Sequence, residues 1–155
     1  MHIVLIEPEI PSNTGNIVRT CAATGTSLHL VGPLGFSLKD KYLKRAGLDY
    51  WDLAMVFQHD SFEDLRSKYP ENRFYFTSKK GRRLYTDVKY SRDDFLVFGK
   101  ETEGLPDSIL DQNPDTTLKI PKLPEARSLN LSNAVAIVLY EALRQLDFNG
   151  GVHLE

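Results

Sequence analysis

The chain has 155 residues, of which 41% are apolar and 26% charged, a usage that fits one globular domain and excludes fibrous and disordered classes. A formal net charge of −2 excludes a nucleic-acid binder that works by overall positive charge, but not one whose basic residues gather on one face. The lone cysteine, Cys21, excludes an internal disulfide and reads as a buried thiol in a helix.

Residues 2–7 predict a short apolar strand buried on both faces. No basic segment precedes it, and the longest strictly apolar run near the C-terminus, 134–140, is far too short to span a membrane. The expected compartment is the cytoplasm. A turn-rich stretch with Pro8 and Pro11 follows. A helix is predicted over 14–24, capped by Ser12 or Asn13 and ended by Gly25. Residues 27–32 form the next strand, so the chain opens strand–helix–strand, which predicts parallel pairing. A short helix is expected over 38–46, broken at Gly47, and a strand over 53–57. A helix follows over 60–69, with Asp60 as cap and Glu63 in the capping-box position. Strands are expected at 73–77, 95–98 and 116–120, with a short helix over 106–111 begun by Pro106. The last helix runs over 132–146, capped by Ser132, and the final seven residues read as a frayed tail. The pattern is α/β with about six strands and no internal boundary.

In a parallel sheet, ligands collect beyond the carboxyl ends of the strands. Four unusual loops leave such ends, at 8–15, 78–83, 99–104 and 121–132. The first leads into Asn13, Thr14, Gly15, Asn16 and, one turn on, Arg19. Gly15 allows close backbone approach, the asparagines both donate and accept, and an arginine fork suits phosphate. A capped helix with a surface arginine is the commoner explanation of that spacing. The loop Gly99-Lys-Glu101-Thr-Glu103-Gly104 is neither a Walker loop nor a dinucleotide fingerprint. Its two carboxylates suggest hydrolase chemistry or a magnesium site, but no other acidic cluster completes either, and capping backbone amides or holding a basic residue is the commoner role. The third region, from Ile120 through Ser128, Asn130 and Asn133 to Glu141, feeds a polar stretch into an apolar helix. That helix is expected to be buried on most sides, at a central position or a subunit interface.

Three basic groups stand out: Lys39, Lys41, Lys44 and Arg45; Lys79, Lys80, Arg82 and Arg83; and, more loosely, Lys119, Lys122 and Arg127. Ordinary solvated surface accounts for each about as well as an RNA contact does. The histidines at 2, 29, 59 and 153 have no metal-ligand spacing, and His2 and His29 read as packing or edge residues. Covalent catalysis has no nucleophile elbow behind it.

The ordered set NTGNIVR, FGKETEGLP and IPKLPEARSLNLSNAVAIVLYE resembles the knotted SPOUT class of RNA methyltransferases over essentially the whole chain. It is most similar to the smallest branch, which methylates the ribose 2′-oxygen of the wobble nucleotide, position 34, in certain leucine tRNAs. The resemblance implies a mostly parallel α/β sheet flanked by helices, with a C-terminal deep trefoil knot, against the general rule that chains are unknotted. It implies one domain over 1–155, a cofactor region at about 74–146, a homodimer and tRNA as partner, through the anticodon stem-loop. S-adenosyl-L-methionine is the implied cofactor, leaving as S-adenosyl-L-homocysteine, with no metal. Cofactor positions transfer to Thr77, Gly99, Glu101, Gly104, Ile120, Ser128, Leu129 and Asn133. Thr77 stands where relatives often carry leucine, so its side chain is a weak marker. Catalytic positions transfer to Arg19, Asn16, Ser128 and Asn130, with Asn13 as a companion. Arg19 is expected to contact a phosphate or the developing alkoxide, since a guanidinium stays protonated and is no free base. Ser128 and Asn130 are expected to orient the nucleophile or cofactor. Two alternatives stand beside this: methylation of another tRNA or rRNA position, and an RNA-binding or assembly protein without catalysis.

Overall fold

The computed structural model describes residues 1–39 and 50–148. The expected helix over 38–46, most of the first basic group and the C-terminal tail lie outside them. Seven strands form one sheet: β1 (His2–Ile6), β2 (Ser27–Val31), β3 (Val56–His59), β4 (Phe74–Thr77), β5 (Arg83–Leu84), β6 (Phe95–Phe98) and β7 (Thr117–Lys119). Their spatial order is β3-β2-β1-β6-β4-β7-β5, and every pairing is parallel. The helices are α1 (Pro11–Thr24), α2 (Phe62–Lys68), α3 (Asp107–Gln112) and α4 (Leu131–Gln145).

Alternation along the central strands splits the core into two layers. Ile3, Leu5, Leu28, Leu30, Leu96 and Phe98 pack against Ile17, Val18 and Cys21 of α1 and Val135, Val138 and Leu139 of α4. Val4, Ile6, Phe74, Phe76, Phe95 and Val97 pack against Leu65 of α2 and Leu110 of α3. The strand expected at 2–7 is thus buried on both faces, as an inner parallel strand must be. Cys21 is fully buried, and burial pushes its thiol up to about 12, so it is an inert packing residue.

Several boundaries differ from expectation, each for a local reason. Helix α1 begins three residues early, at Pro11, whose fixed φ suits a first helical position. Ile10 is its cap residue and makes no side-chain cap bond, so neither Ser12 nor Asn13 caps it. Gly25 ends it in the left-handed conformation at φ 64°, as expected. The strand expected at 53–57 lies instead at 56–59. Ser61, not Asp60, caps α2, and its hydroxyl accepts from Asp64 N at 3.0 Å. Asn130, not Ser132, caps α4: its Oδ1 accepts from Ser132 N at 2.9 Å. Helix α4 is buried or half-buried on most sides, as expected, with one exposed stripe. Val135, Val138, Leu139 and Ala142 face the core, while Ile137 and Tyr140 are 36% and 46% exposed.

The two-residue strand β5 carries no hydropathy signal. It exists because β7 lies between it and β4, pairing with Phe76–Thr77 on one side and Arg83–Leu84 on the other. The connection 78–82 therefore runs across β7. Gly81 is buried against the backbone of Leu118, where a side-chain carbon would collide with the peptide.

Candidate active site

Strands β1, β4, β6 and β7 end on the same side of the sheet, and their four loops meet there. They enclose a cavity of about 550 Å³, lined among others by Ile10, Thr77, Lys79, Gly99, Leu105 and Ile120. That volume is ordinary for a small-molecule site. The four loops singled out by composition thus build one cavity, although they are spread over more than a hundred residues.

A polar network joins the loops. Glu101, on the loop after β6, accepts from Glu9 N at 2.8 Å, Ile10 N at 3.1 Å and Asn13 Nδ2 at 3.1 Å. Its carboxylate therefore holds the entrance of α1, in the amide-capping role that the residue type favours. Glu9 returns the contact, its Oε2 accepting from Thr102 N at 3.2 Å and Thr102 Oγ1 at 2.8 Å. Asn13 passes the link on: its Oδ1 accepts from Asn130 Nδ2 at 2.9 Å, and Asn130 caps α4. Lys100 bridges Glu7, at 3.1 Å, and Glu103, at 3.2 Å. These carboxylates raise the Lys100 ammonium above its ordinary value, hydrogen bonding to Glu7 most of all. Glu7 adopts φ 49°, a left-handed turn that swings the chain off β1.

Glycine is required at two places in the loop after β6. A side-chain carbon on Gly99 would run into the backbone of Gly104 and Leu105. Gly104 has φ 76° and donates its N–H to the Lys100 carbonyl at 2.9 Å.

Of the residues proposed for cofactor binding, Thr77, Gly99, Glu101, Gly104, Ile120, Ser128 and Leu129 all line the cavity, as do Asn13 and Asn130. Asn133 does not; it is exposed on the first turn of α4. Asn16 and Arg19 lie on the exposed side of α1, outside the lining. Lys79, Lys80 and Lys122 bring cations to the cavity, with Lys80 paired to Asp107 at 2.6 Å. Lys79 and Lys80 of the group at 79–83 and Lys122 of the looser group thus collect around one opening.

Sequence spacing gave no hint of a second polar cluster. Parallel pairing sets His2 opposite Ser27 and His29 opposite Phe57, which brings three strand histidines to one face. His2 Nδ1 lies 3.1 Å from His29 Nε2, and His29 Nδ1 lies 2.9 Å from His59 Nε2. His59 Nδ1 stands 3.5 Å from Asp64. A neutral imidazole has one donor and one acceptor, enough to bond both neighbours. Burial, the largest cause in each case, lowers His2 to about 4 and His29 to about 3, and also lowers His59. The nearby N-terminal charge further lowers His2 and the adjacent rings further lower His29, whereas Asp64 partly opposes the effect at His59. His2 stacks flat on Phe95.

A family model described as the SpoU rRNA Methylase family matches residues 1–140. The chain belongs to the SpoU rRNA methylase family. The tRNA (cytidine(34)-2′-O)-methyltransferase of Methylovorus glucosotrophus is 51% identical to this SpoU-family chain over 151 residues, covering 97% of it and 98% of the relative. The enzyme of that name from Escherichia coli K12 is 49% identical over 154 residues, covering 98% of each. A solved structure described as giving insight into the 2-OH methylation of C/U34 on tRNA superimposes with a TM-score of 0.90 at 46% identity, covering 94% of this chain and 95% of that one. The SpoU methyltransferase AviRb of Streptomyces viridochromogenes, solved with the cofactor AdoMet, matches at TM-score 0.83 and 25% identity, covering 95% of this chain and 60% of that one. The parallel sheet flanked by helices is the fold of these methyltransferases. Among the described residues, no helix is long and apolar enough to cross a membrane.

Proposed function

We propose that this SpoU-family chain transfers the methyl group of S-adenosyl-L-methionine to the ribose 2′-oxygen of nucleotide 34 in tRNA. The observation that carries this reading is the convergence of all four strand-end loops on one cavity, together with full-length relatives of that name at about half identity. The cavity suits the cofactor. Backbone at Gly104 borders open space, and Leu105, Ile120, Leu129 and Ala134 offer apolar walls. When bound, the cofactor would supply a sulfonium methyl whose carbon–sulfur bond breaks as the oxygen–carbon bond forms, the electron pair staying on sulfur in S-adenosyl-L-homocysteine and the 2′-hydroxyl proton leaving to solvent.

Thr77, Gly99, Gly104, Ile120, Ser128 and Leu129 are the cofactor contacts in this reading, largely through backbone and apolar surface. Glu101 acts by fixing the loops, since both its oxygens already accept from α1 and its entrance. Ser128 and Asn130 orient the incoming ribose. Arg19, with Asn16 beside it, meets the phosphate or the developing alkoxide and holds that charge. Asn133 on the exposed first turn of α4 completes the cofactor side only with a neighbouring subunit. Substitution Arg19→Ala is expected to lower kcat on the order of 100-fold with tRNA saturating; near-normal kcat would remove the catalytic role.

The finer reading is a homodimer acting on the anticodon stem-loop of leucine tRNAs in the cytoplasm, built as one domain over 1–155. Its C-terminal region, about 74–146, forms a trefoil knot. The dimer is supported by Ile10, Leu129, Ile137 and Tyr140, apolar yet exposed, and by the placement of Asn16 and Arg19 outside the cavity of their own chain. The knot is supported by β7 lying between β4 and β5 beneath the connection 78–82. RNA binding is supported by Lys79, Lys80 and Lys122 lining the cavity. Charge reversal at Lys79 and Arg82 is expected to weaken tRNA binding and flatten its salt dependence.

The deciding experiment is transfer of tritiated methyl to unmodified total tRNA, followed by nucleoside mapping. A 2′-O-methyl group at position 34 supports the proposal. Label on a base or at another position redirects it to the sister activity, and cofactor binding without transfer overturns catalysis.

A further inference from the structure

Arg19 does not extend freely from α1. Its guanidinium carbon lies 4.9 Å from the ring centroid of Tyr50, a residue of the connection between β2 and β3. Tyr50 is firmly seated. Its carbonyl accepts from Leu53 N at 3.1 Å and Ala54 N at 2.9 Å. Trp51 and Ala54 pack against the core layer beneath α1 and α4. The Met55 carbonyl accepts from Leu28 N at 2.8 Å, tying the segment to β2. The ring itself is half-buried.

We infer that Tyr50 is a positioning residue, which holds the Arg19 guanidinium for a phosphate of the RNA at the reacting nucleotide. The inference rests on the proposed role of Arg19. A cation held over a ring face is attracted to it without using its N–H donors in hydrogen bonds to that ring, which leaves donors for a ligand. The contact also fixes a side chain that would otherwise lose rotamer freedom when it binds. Arg19 is outside the cavity lining, so the anion it is held for arrives from outside the cofactor cavity, as a nucleic-acid backbone does. A lysine at position 19 would not substitute, because an ammonium has no planar fork to present to a phosphate.

The test is a double-mutant cycle read on kcat/KM for tRNA with cofactor saturating. Tyr50→Leu keeps apolar bulk and removes the ring; it is expected to lower kcat/KM about three- to fivefold. Tyr50→Phe restores the ring and recovers most of that loss. In an Arg19→Ala background, Tyr50→Leu causes no further loss, whereas cofactor affinity and melting temperature stay at the parent value throughout. The Arg19 Nε–H resonance is expected to carry an upfield ring-current shift that disappears in Tyr50→Leu. An equal loss in both backgrounds, a Tyr50→Phe variant as poor as Tyr50→Leu, or no ring-current shift each overturns the inference. A wild type that methylates no tRNA overturns the proposed function instead. The cycle is then read on tRNA binding by fluorescence anisotropy, where absence of coupling between the two positions overturns the inference as well.

Discussion

Two polar networks among the described residues are built on opposite terms. The Glu101 network ties the loop after β6 to the entrance of α1 and, through Asn13 and Asn130, to the start of α4. It is charged, lies at the cavity, and joins segments nearly a hundred residues apart. The histidine chain crosses three adjacent strands, and burial keeps it neutral. The first network shapes a site from loops that have no periodic structure of their own. The second fills an aromatic layer among strands that the sheet already fixes. Loops need charge-assisted bonds to backbone because little else orders them, whereas the strand histidines bond to one another and leave only His59 Nδ1 buried without a hydrogen-bond partner.

The largest expected effect falls on the site side. Gly99→Ala forces a side-chain carbon into the backbone of Gly104 and Leu105, which cannot yield as a flexible side chain would. A loss of about 3 kcal/mol in urea unfolding is expected, together with loss of cofactor binding by calorimetry. Parent-like behaviour in both would mean that the loop is not closely packed. Glu101→Ala comes next. It strips the partner from two backbone amides and Asn13, at a cost of about 2 kcal/mol in the same assay. Near-zero cost would show that the α1 entrance is held by other bonds.

The histidine side is tested by pH. An unfolded imidazole titrates near pH 6.5, whereas folded His2 and His29 are lowered to about 4 and about 3. Between those values the unfolded chain binds more protons, so stability rises with pH. The contribution is complete above about pH 6.5 and is lost as pH falls through the folded values. Unfolding free energy measured from pH 7 to pH 4 is expected to decline, and His2→Phe, which keeps a ring for stacking on Phe95, should make the decline shallower. An unchanged slope would remove His2 from the account. The smallest effect belongs to the exposed pair Lys80–Asp107. Lys80→Ala is expected to change stability by less than about 0.5 kcal/mol, and a larger loss would make the cavity rim a structural element.

Much of the fold was legible in the sequence. The strand at 95–98 matches residue for residue, and Gly25 ends α1 as a glycine at that place should. Errors cluster at helix starts, where several polar residues compete to cap. Asn13 looked like a cap and is instead the buried link between Glu101 and Asn130. Of the site, the glycines and the four loops were legible because they break periodicity. The Tyr50 contact with Arg19 and the histidine chain were not, because neither has a spacing along the chain.

The sequence by itself determined a parallel α/β domain whose strand ends carry unusual loops, and through its ordered motifs the family resemblance. Those signals are local: alternation, turn residues and short strings of fixed composition. Only the tertiary structure decided that β7 runs between β4 and β5, that three histidines share one face, and that Arg19 stands on the exposed side of α1 against Tyr50. Each of these depends on which strands become neighbours and in what register. Neighbours and register are set by the burial of the whole sheet, which no short window of residues encodes.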